Sequence, residues 1–575
     1  MKLNNTLTEF DKNIRDDDVH KEIVQIPSIT SFGNLKNKKK SLGQNFTPQA
    51  IVDFMISLIS KDTNSEILEP SAGKGIFIER LKNFGYKNID AYEIDPTLCK
   101  SNSKIICKDF MFVKQDKKYD LVIGNPPYVR WKNLPERTRK FLLSSDFWNR
   151  RVNRLSDLLQ TFIYKGVDML KEGGELIFIT PYFWVQSLHA TNLRNFLINK
   201  GYFEEFIYFG EHKLFEDAST NFIIFRFVKS KEISHHLRFV ELKDKWSNVD
   251  INLNKINKTL SLLKDQGKVI FDNIVAFRLL QFKTSKPWEL IDPEISKRLN
   301  IYENNCNYQL HKENNKKIIR YSKNPSNSYL TFSDICRIGA GMVSGFDGAF
   351  KINDKFIERL NDKEKNKIIY FIKSGDMDRF FYRDKTPYIR VDDISQEEEL
   401  RLNYPNLFER LNFFKDQLTE RYDYGVKWYH YSFLRNIDIF LENPGPKLFV
   451  PSKDRKPYSR FVYVNKPFFC GQDSCVIVIK KDVDIKEDLK YLLALLNSNI
   501  INLWYRNKGI RRGDVLQYSF EPMSKIPIRL INWKDNKEVG IYKEIIMLVD
   551  EILKNKRYNE HIKKINEFVE YLYSH

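Results

Sequence analysis

Tyr119-Asp120-Leu121-Val122-Ile123-Gly124-Asn125-Pro126-Pro127-Tyr128 is the stretch on which the fold turns. A short apolar run closed by Gly and Pro reads as a strand buried on both faces. The prolines end it, because each fixes φ and lacks the N–H that a ladder needs. Carbonyl oxygens are left facing outward as pure acceptors. The Asn125 side-chain oxygen and the Pro126 carbonyl can then both accept from one NH2 group, with Pro127 holding the turn and Tyr128 supplying a flat face. Two acceptors draw the hydrogens of an aromatic amine toward tetrahedral geometry and aim its lone pair at an electrophile. A Pro-Pro turn is also ordinary loop chemistry. Its place after a buried strand, with Asn before and Tyr behind, is what points to an amine site.

Outward from this strand, the pattern alternates. Gln49–Ser60 has a helical apolar rhythm after Pro48, Glu66–Glu69 reads as a strand, and Ile76–Phe84 as a helix. Asn88–Glu93 and Lys104–Cys107 are expected strands, Leu155–Lys171 a helix closed by Gly173-Gly174, and Glu175–Thr180 and Phe222–Val228 further buried strands. Such alternation predicts a mostly parallel α/β sheet.

Between the first strand and helix lies Glu69-Pro70-Ser71-Ala72-Gly73-Lys74-Gly75, and Glu93 stands at the end of the next strand. The glycines let a ligand approach the backbone. A carboxylate at Glu93 suits the two hydroxyls of a ribose. Neither a P-loop nor a GxGxxG is present, and Glu69 would repel a phosphate while suiting a cation. S-adenosylmethionine, with a sulfonium, an ammonium and no phosphate, matches that chemistry. Asp109-Phe110, after the third strand, suits the amine and ring face of the cofactor's adenine, although Asp-Phe is also a common helix cap beside a core aromatic.

The 575 residues carry 94 Lys+Arg against 75 Asp+Glu, a net charge of +19, which implies a polyanionic partner. The six cysteines form no zinc-type or disulfide pattern, and no metal site is expected. No apolar run is long enough to span a membrane, so a cytoplasmic, nucleoid-associated protein is expected. The expected division is a flexible basic arm over 1–40, a catalytic domain over 41–235, a connecting region over 236–330, and from 331 to 575 a domain of short aromatic-rich strands and turns. A base inside a duplex must be flipped out to be modified, and Tyr128 and Phe215 would clamp it. Arg455, Arg460, Lys508, Arg511 and Arg512, expected in loops, suit DNA contacts and equally a solvated surface.

The ordered set GQNFTP (43–48), LEPSAGKG (68–75), YEID (92–95), KDF (108–110), NPPY (125–128) and LFEDAST (214–220) resembles the gamma-class N6-adenine DNA methyltransferases of bacterial restriction–modification systems, typified by the TaqI methyltransferase. The resemblance is strong over 41–230. It is looser over Ile338–Gly345, Lys373–Asp376, Lys447–Pro451 and Ser524–Ile528, which resemble the group's specificity domains. It implies a Rossmann-like S-adenosylmethionine-dependent domain with a mostly parallel sheet, plus a C-terminal mixed α+β target-recognition domain around a DNA cleft. It implies that Thr47 and Pro48 close over the cofactor, that Glu69, Pro70, Ala72, Gly73 and Gly75 line its methionine part, and that Glu93, Ile94, Asp109 and Phe110 hold the rest. Asn125, which also reaches the cofactor, would hold the target adenine with Pro126, Pro127 and Tyr128, opposite Phe215. It implies double-stranded DNA as substrate, a separate cognate endonuclease, and a monomer on DNA. Lys74 departs from what a cationic ligand favours and is expected to point to solvent. Release-factor glutamine methyltransferases and some RNA methyltransferases share NPPY, but they place extra domains before the cofactor motifs; here more than half the chain follows them.

Overall fold

A computed structural model describes residues 46–575, except 101, 103, 135, 145–156, 216–220, 233, 244–252, 325–327, 422–424 and 557–558. The basic arm and residues 43–45 and 216–220 of the motifs therefore lie outside the described residues.

YDLVIG forms β4 (Tyr119–Gly124) at the centre of a ten-stranded sheet. Its neighbours are β1 (Glu66–Glu69) on one side and β5 (Leu170–Pro181) on the other, both parallel to it. β2 (Asn88–Glu93) and β3 (Ile106–Cys107) continue the parallel half beyond β1. β6 (Gly201–Tyr208) and β7 (Phe222–Lys229) follow β5, with β7 antiparallel to both β5 and β6. The burial explains the apolar run. Val122, Leu176 and Phe178 feed one core, while Leu121, Ile123, Ile177 and Ile179 feed the core on the other face. With side chains alternating between faces, a strand covered on both has no room for polar residues.

Three expectations change. The helix after NPPY runs Leu158–Asp168, and Gly173-Gly174 do not close it; they lie inside β5. There Tyr119 pairs with Leu170 but Leu121 with Glu175, so the extra residues bulge out, with Gly173 at φ +74°. The third strand is only Ile106–Cys107. The region 236–330 is not merely connecting: β8 (His236–Leu242), β9 (Lys268–Phe271) and β10 (Ile274–Leu280) join the catalytic sheet in the order β6-β8-β10-β9. Pairing to β6 satisfies backbone groups that would otherwise form an open edge.

The C-terminal half builds a four-stranded antiparallel sheet in the order Cys336–Ala340, Ser474–Ile479, Lys447–Pro451, Val462–Val464. It again divides two cores, Leu448, Val450 and Ile477 facing one and Phe449, Val476 and Val478 the other. The apolar helix Leu489–Leu496, with seven of its residues buried, joins the first of these cores, together with the helices Asn536–Asn555 and Asn559–Ser574. All six cysteines are unpaired. Among the described residues no helix is long and apolar enough to cross a membrane, and no cluster of metal-ligating side chains forms.

Candidate active site

The tips of β1 and β4 stand side by side. A Cβ on Gly124 would lie 3.6 Å from Pro70 Cδ and 3.8 Å from Glu69 Cγ. This adjacency, which parallel pairing imposes, brings the Gly turn and the NPPY turn together. Ser71 Oγ links them by donating to the Asn125 carbonyl at 3.0 Å.

Gly73 (φ +56°) and Gly75 (φ +84°) both take the left-handed region, and Gly75 starts the helix Ile76–Asn83. A Cβ on Gly75 would meet Asn102 Nδ2 at 2.6 Å. The turn is fixed by Ala72 N–H donating to the Tyr92 carbonyl and by Gly73 N–H donating to Glu93 Oε2, each at 2.8 Å. Glu93 Oε1 accepts from Asp95 N–H at 2.9 Å. Each oxygen of this carboxylate keeps acceptor capacity beyond its backbone donor, so two ribose hydroxyls fit. Burial raises its pKa, partly offset by these backbone bonds. Ile94 beside it is exposed, Ala72 and Pro70 are buried, and Lys74 is exposed with its Nζ over the Phe46 ring at 4.6 Å.

Glu69 is 1% exposed, and its Oε2 has no hydrogen-bond partner. Burial, and then the nearby charge of Glu93, push its carboxyl well above the ordinary carboxylate range. An orphaned buried acceptor is costly, and a cationic ligand at the β1 tip relieves that cost. The residues present therefore fit S-adenosylmethionine.

Asp109 caps the turn Phe110–Phe112 by accepting from Met111 N–H at 2.9 Å, and Phe110 is buried against Phe162 and Tyr92, with ring centroids at 5.3 and 6.1 Å. The sequence reading missed what holds this turn. Lys165 is buried in the helix Leu158–Asp168, and its Nζ donates to the carbonyls of Phe110, Met111 and Val113 at 2.7, 2.9 and 2.6 Å. Burial pushes its pKa down to about 8. A lone lysine in the apolar run Leu158–Val167 was the signal.

Asn125 Oδ1 accepts from the Tyr128 hydroxyl, which also reaches the Ile179 carbonyl, and Asn125 Nδ2 donates to Thr47 Oγ1 at 3.1 Å. Thr47 is buried, and Pro48 is exposed at the start of the helix Gln49–Ser57. Pro126 is buried and Pro127 half-buried. Phe215 is buried, but the ring between the two expected clamp residues is Phe222, at 4.6 Å from Phe215 and 5.9 Å from Tyr128. Phe222 was read only as the start of a core strand.

The expected DNA-facing cations are placed differently. Arg455 does lie in a loop, and it pairs with Glu211 at 2.8 Å. Arg460 grips both oxygens of Asp454, Lys508 both oxygens of Glu303, and Arg511 pairs with Glu241 at 2.8 Å. Lys508 ends a helix, and Arg511 and Arg512 lie on the strand Ile510–Arg512, not in loops. Arg455, Arg460, Lys508 and Arg511 thus each meet a carboxylate of their own chain.

A Gly-turn cofactor strand beside an NPPY strand in the parallel half of the sheet, joined to a separate mixed domain, defines a methyltransferase with its own specificity domain. Residues 12–215 match the Eco57I restriction-modification methylase family, and residues 314–528 match the TaqI-like C-terminal specificity domain. The chain is 35% identical to the type II methyltransferase M.HindII of Haemophilus influenzae over 532 residues, covering 91% of this chain and 96% of that protein. It is 34% identical to M.HincII of the same species over the same shares. The structure of the type IIL restriction-modification enzyme MmeI in complex with DNA shares the fold at a TM-score of 0.59 and 13% identity, covering 94% of this chain and 77% of that one. The chain belongs to the type II methyltransferases of restriction–modification systems. It is a DNA methyltransferase, and S-adenosylmethionine is its methyl donor.

Proposed function

We propose that the base methylated is adenine, at its exocyclic N6, within a specific site of double-stranded DNA. The carrying observation is Asn125 at the end of β4, its Oδ1 accepting from a hydroxyl and its backbone tied to the Gly turn through Ser71. An NH2 group entering the site takes the place of the Tyr128 hydroxyl on Asn125 Oδ1, and the Pro126 carbonyl is the second acceptor. Both acceptors stiffen the amine toward tetrahedral geometry, so its lone pair is available for the methyl group. No strong base is required, because the methylated ammonium is itself acidic. Tyr128, Phe215 and Phe222 supply the aromatic wall for a base taken out of the stack.

The donor supplies an electrophilic methyl. Around it, Thr47, Pro48, Glu69, Pro70, Ala72, Gly73 and Gly75 would hold the methionine part, Glu93 and Ile94 the ribose, and Asp109 and Phe110 the adenine, with Asn125 between donor and base. Arg455, whose side chain is 60% exposed despite its ion pair, and Arg512 are the DNA contacts in this reading. The protein acts as a monomer on DNA, in the bacterial cytoplasm, beside a separate cognate endonuclease. The experiment is methylation with labelled donor followed by nucleoside analysis. Label in N6-methyladenine of DNA is expected; label only in cytosine, RNA or protein overturns the reading.

A further inference from the structure

Arg511 and Arg512, expected in a DNA-facing loop, lie on a hairpin whose tip meets the catalytic domain. Strands Ile510–Arg512 and Val515–Gln517 pair with Arg512 opposite Val515, so Gly513 and Asp514 form the turn. Asp514 N–H donates to Glu211 Oε1 at 2.9 Å, and Glu211 Oε2 accepts from Arg455 at 2.8 Å. Arg455 follows Lys453–Asp454, which pairs with the same hairpin. Arg511 reaches Glu241 on β8, a buried carboxylate, at 2.8 Å. Gly513 sits at φ +58°, and a Cβ there would fall 1.8 Å from Glu211 Cγ. Only glycine leaves room for the Glu211 side chain packed against this turn.

Asn221 carries the contact inward. With its amide oxygen turned to accept from Gly513 N–H at 2.8 Å, its nitrogen donates to the Gly210 carbonyl at 3.2 Å. Its own carbonyl accepts from Tyr182 N–H at 2.9 Å. The next residue is Phe222, the ring that touches both Phe215 and Tyr128. The tip of the C-terminal domain is thus one residue from the aromatic wall of the amine site. Movement of the hairpin tip against the catalytic domain would reach Phe222 through Asn221.

We propose that the hairpin tip, through Gly513, Asp514 and Arg511, is a positioning element for the base pocket, making methyl transfer depend on how the specificity domain is seated. The inference rests on the reading of Tyr128, Phe215 and Phe222 as the wall of the base pocket. The test uses the full chain, with Gly513→Val to force the tip away and Glu211→Gln as a milder change that keeps the side-chain volume. Donor affinity, DNA affinity, single-turnover rate at saturating donor and DNA, and 2-aminopurine emission at the mapped methylated position are measured. Gly513→Val is expected to lower the rate about tenfold, the scale of interdomain coupling, with donor and DNA affinities at the wild-type level and reduced emission. Glu211→Gln is expected to lower the rate about threefold, the scale of one partly screened ion pair. Wild-type rates in both variants overturn the proposal, as does a donor affinity that falls in step with the rate. If Gly513→Val fails to fold, Glu211→Gln decides. A wild-type protein that gives no emission change on binding contradicts base extrusion itself, while the rate comparison still judges the hairpin.

Discussion

Lys165→Met removes the ammonium that holds the Phe110–Phe112 turn and leaves an unbranched apolar side chain one atom shorter. Three carbonyls, of Phe110, Met111 and Val113, lose their donor. Hydrogen bonds to a charged group contribute about 1.5–3 kcal/mol each, so the three together are worth ~4–9 kcal/mol. Against this stands the cost of burying the charge. A pKa pushed from 10.5 to about 8 corresponds to ~3 kcal/mol. The net loss is then about 1–6 kcal/mol, with the lower end expected because water reaches a relaxed turn. The loss is local to Asp109 and Phe110, so donor affinity should fall about tenfold, equivalent to ~1.4 kcal/mol. Calorimetric titration with S-adenosylhomocysteine reads it, and single-turnover rates at saturating donor should stay near wild type. The pH dependence carries the sign. Between pH 8 and 10.5 the unfolded chain holds the Lys165 proton and the folded chain has lost it, so stability rises with pH across that window. Below pH 8 the burial cost is present in full. The difference between wild type and variant in denaturant midpoints should therefore grow from pH 7.5 to 9.5. A Lys165→Met protein with unchanged donor affinity and no pH-dependent difference would refute the reasoning.

Asn125→Ala should abolish turnover while lowering donor affinity far less, since Gly73 and Glu93 are untouched; wild-type turnover in a nucleoside assay would remove the amine-acceptor role. Glu93→Ala should weaken donor binding by about 1–3 kcal/mol, read by calorimetry. Burial and the charge of Glu93 raise the pKa of Glu69, and a bound cation favours loss of its proton, so donor affinity should rise with pH across the range in which the free carboxyl titrates. Titrations in two buffers of different ionisation enthalpy measure that proton, and none should appear in Glu69→Gln. Specific DNA binding should fall steeply with salt through counterion release, and a truncation after the catalytic sheet should lose it. Such a truncation must end beyond Leu280, because a stop near 260 would cut β9 and β10 out of the sheet.

Local chemistry made much of this chain readable. YDLVIG had to be a buried strand because its apolar run has no polar face, and two prolines had to end it. The glycines of 73–75 announced a ligand close to the backbone, and Glu69 a cation rather than a phosphate. These are properties of consecutive residues, and consecutive residues are what a sequence displays. What required tertiary structure were meetings between distant segments. Phe222 looked like any core aromatic until β7 set it against Tyr128 and Phe215. Lys165 lies 55 residues from Phe110, and only packing of its helix on the sheet brings Nζ to that carbonyl. The strands of 236–280 were read as a connection because nothing local says which edge a strand will join. The basic stretch around Arg511 and Arg512, a hairpin in the structure, was read as DNA-facing from its charge, but charge does not say which polyanion or carboxylate it will meet. Glu211 and Glu241, some 300 and 270 residues away in the chain, met it first, because folding placed their side chains at its tip.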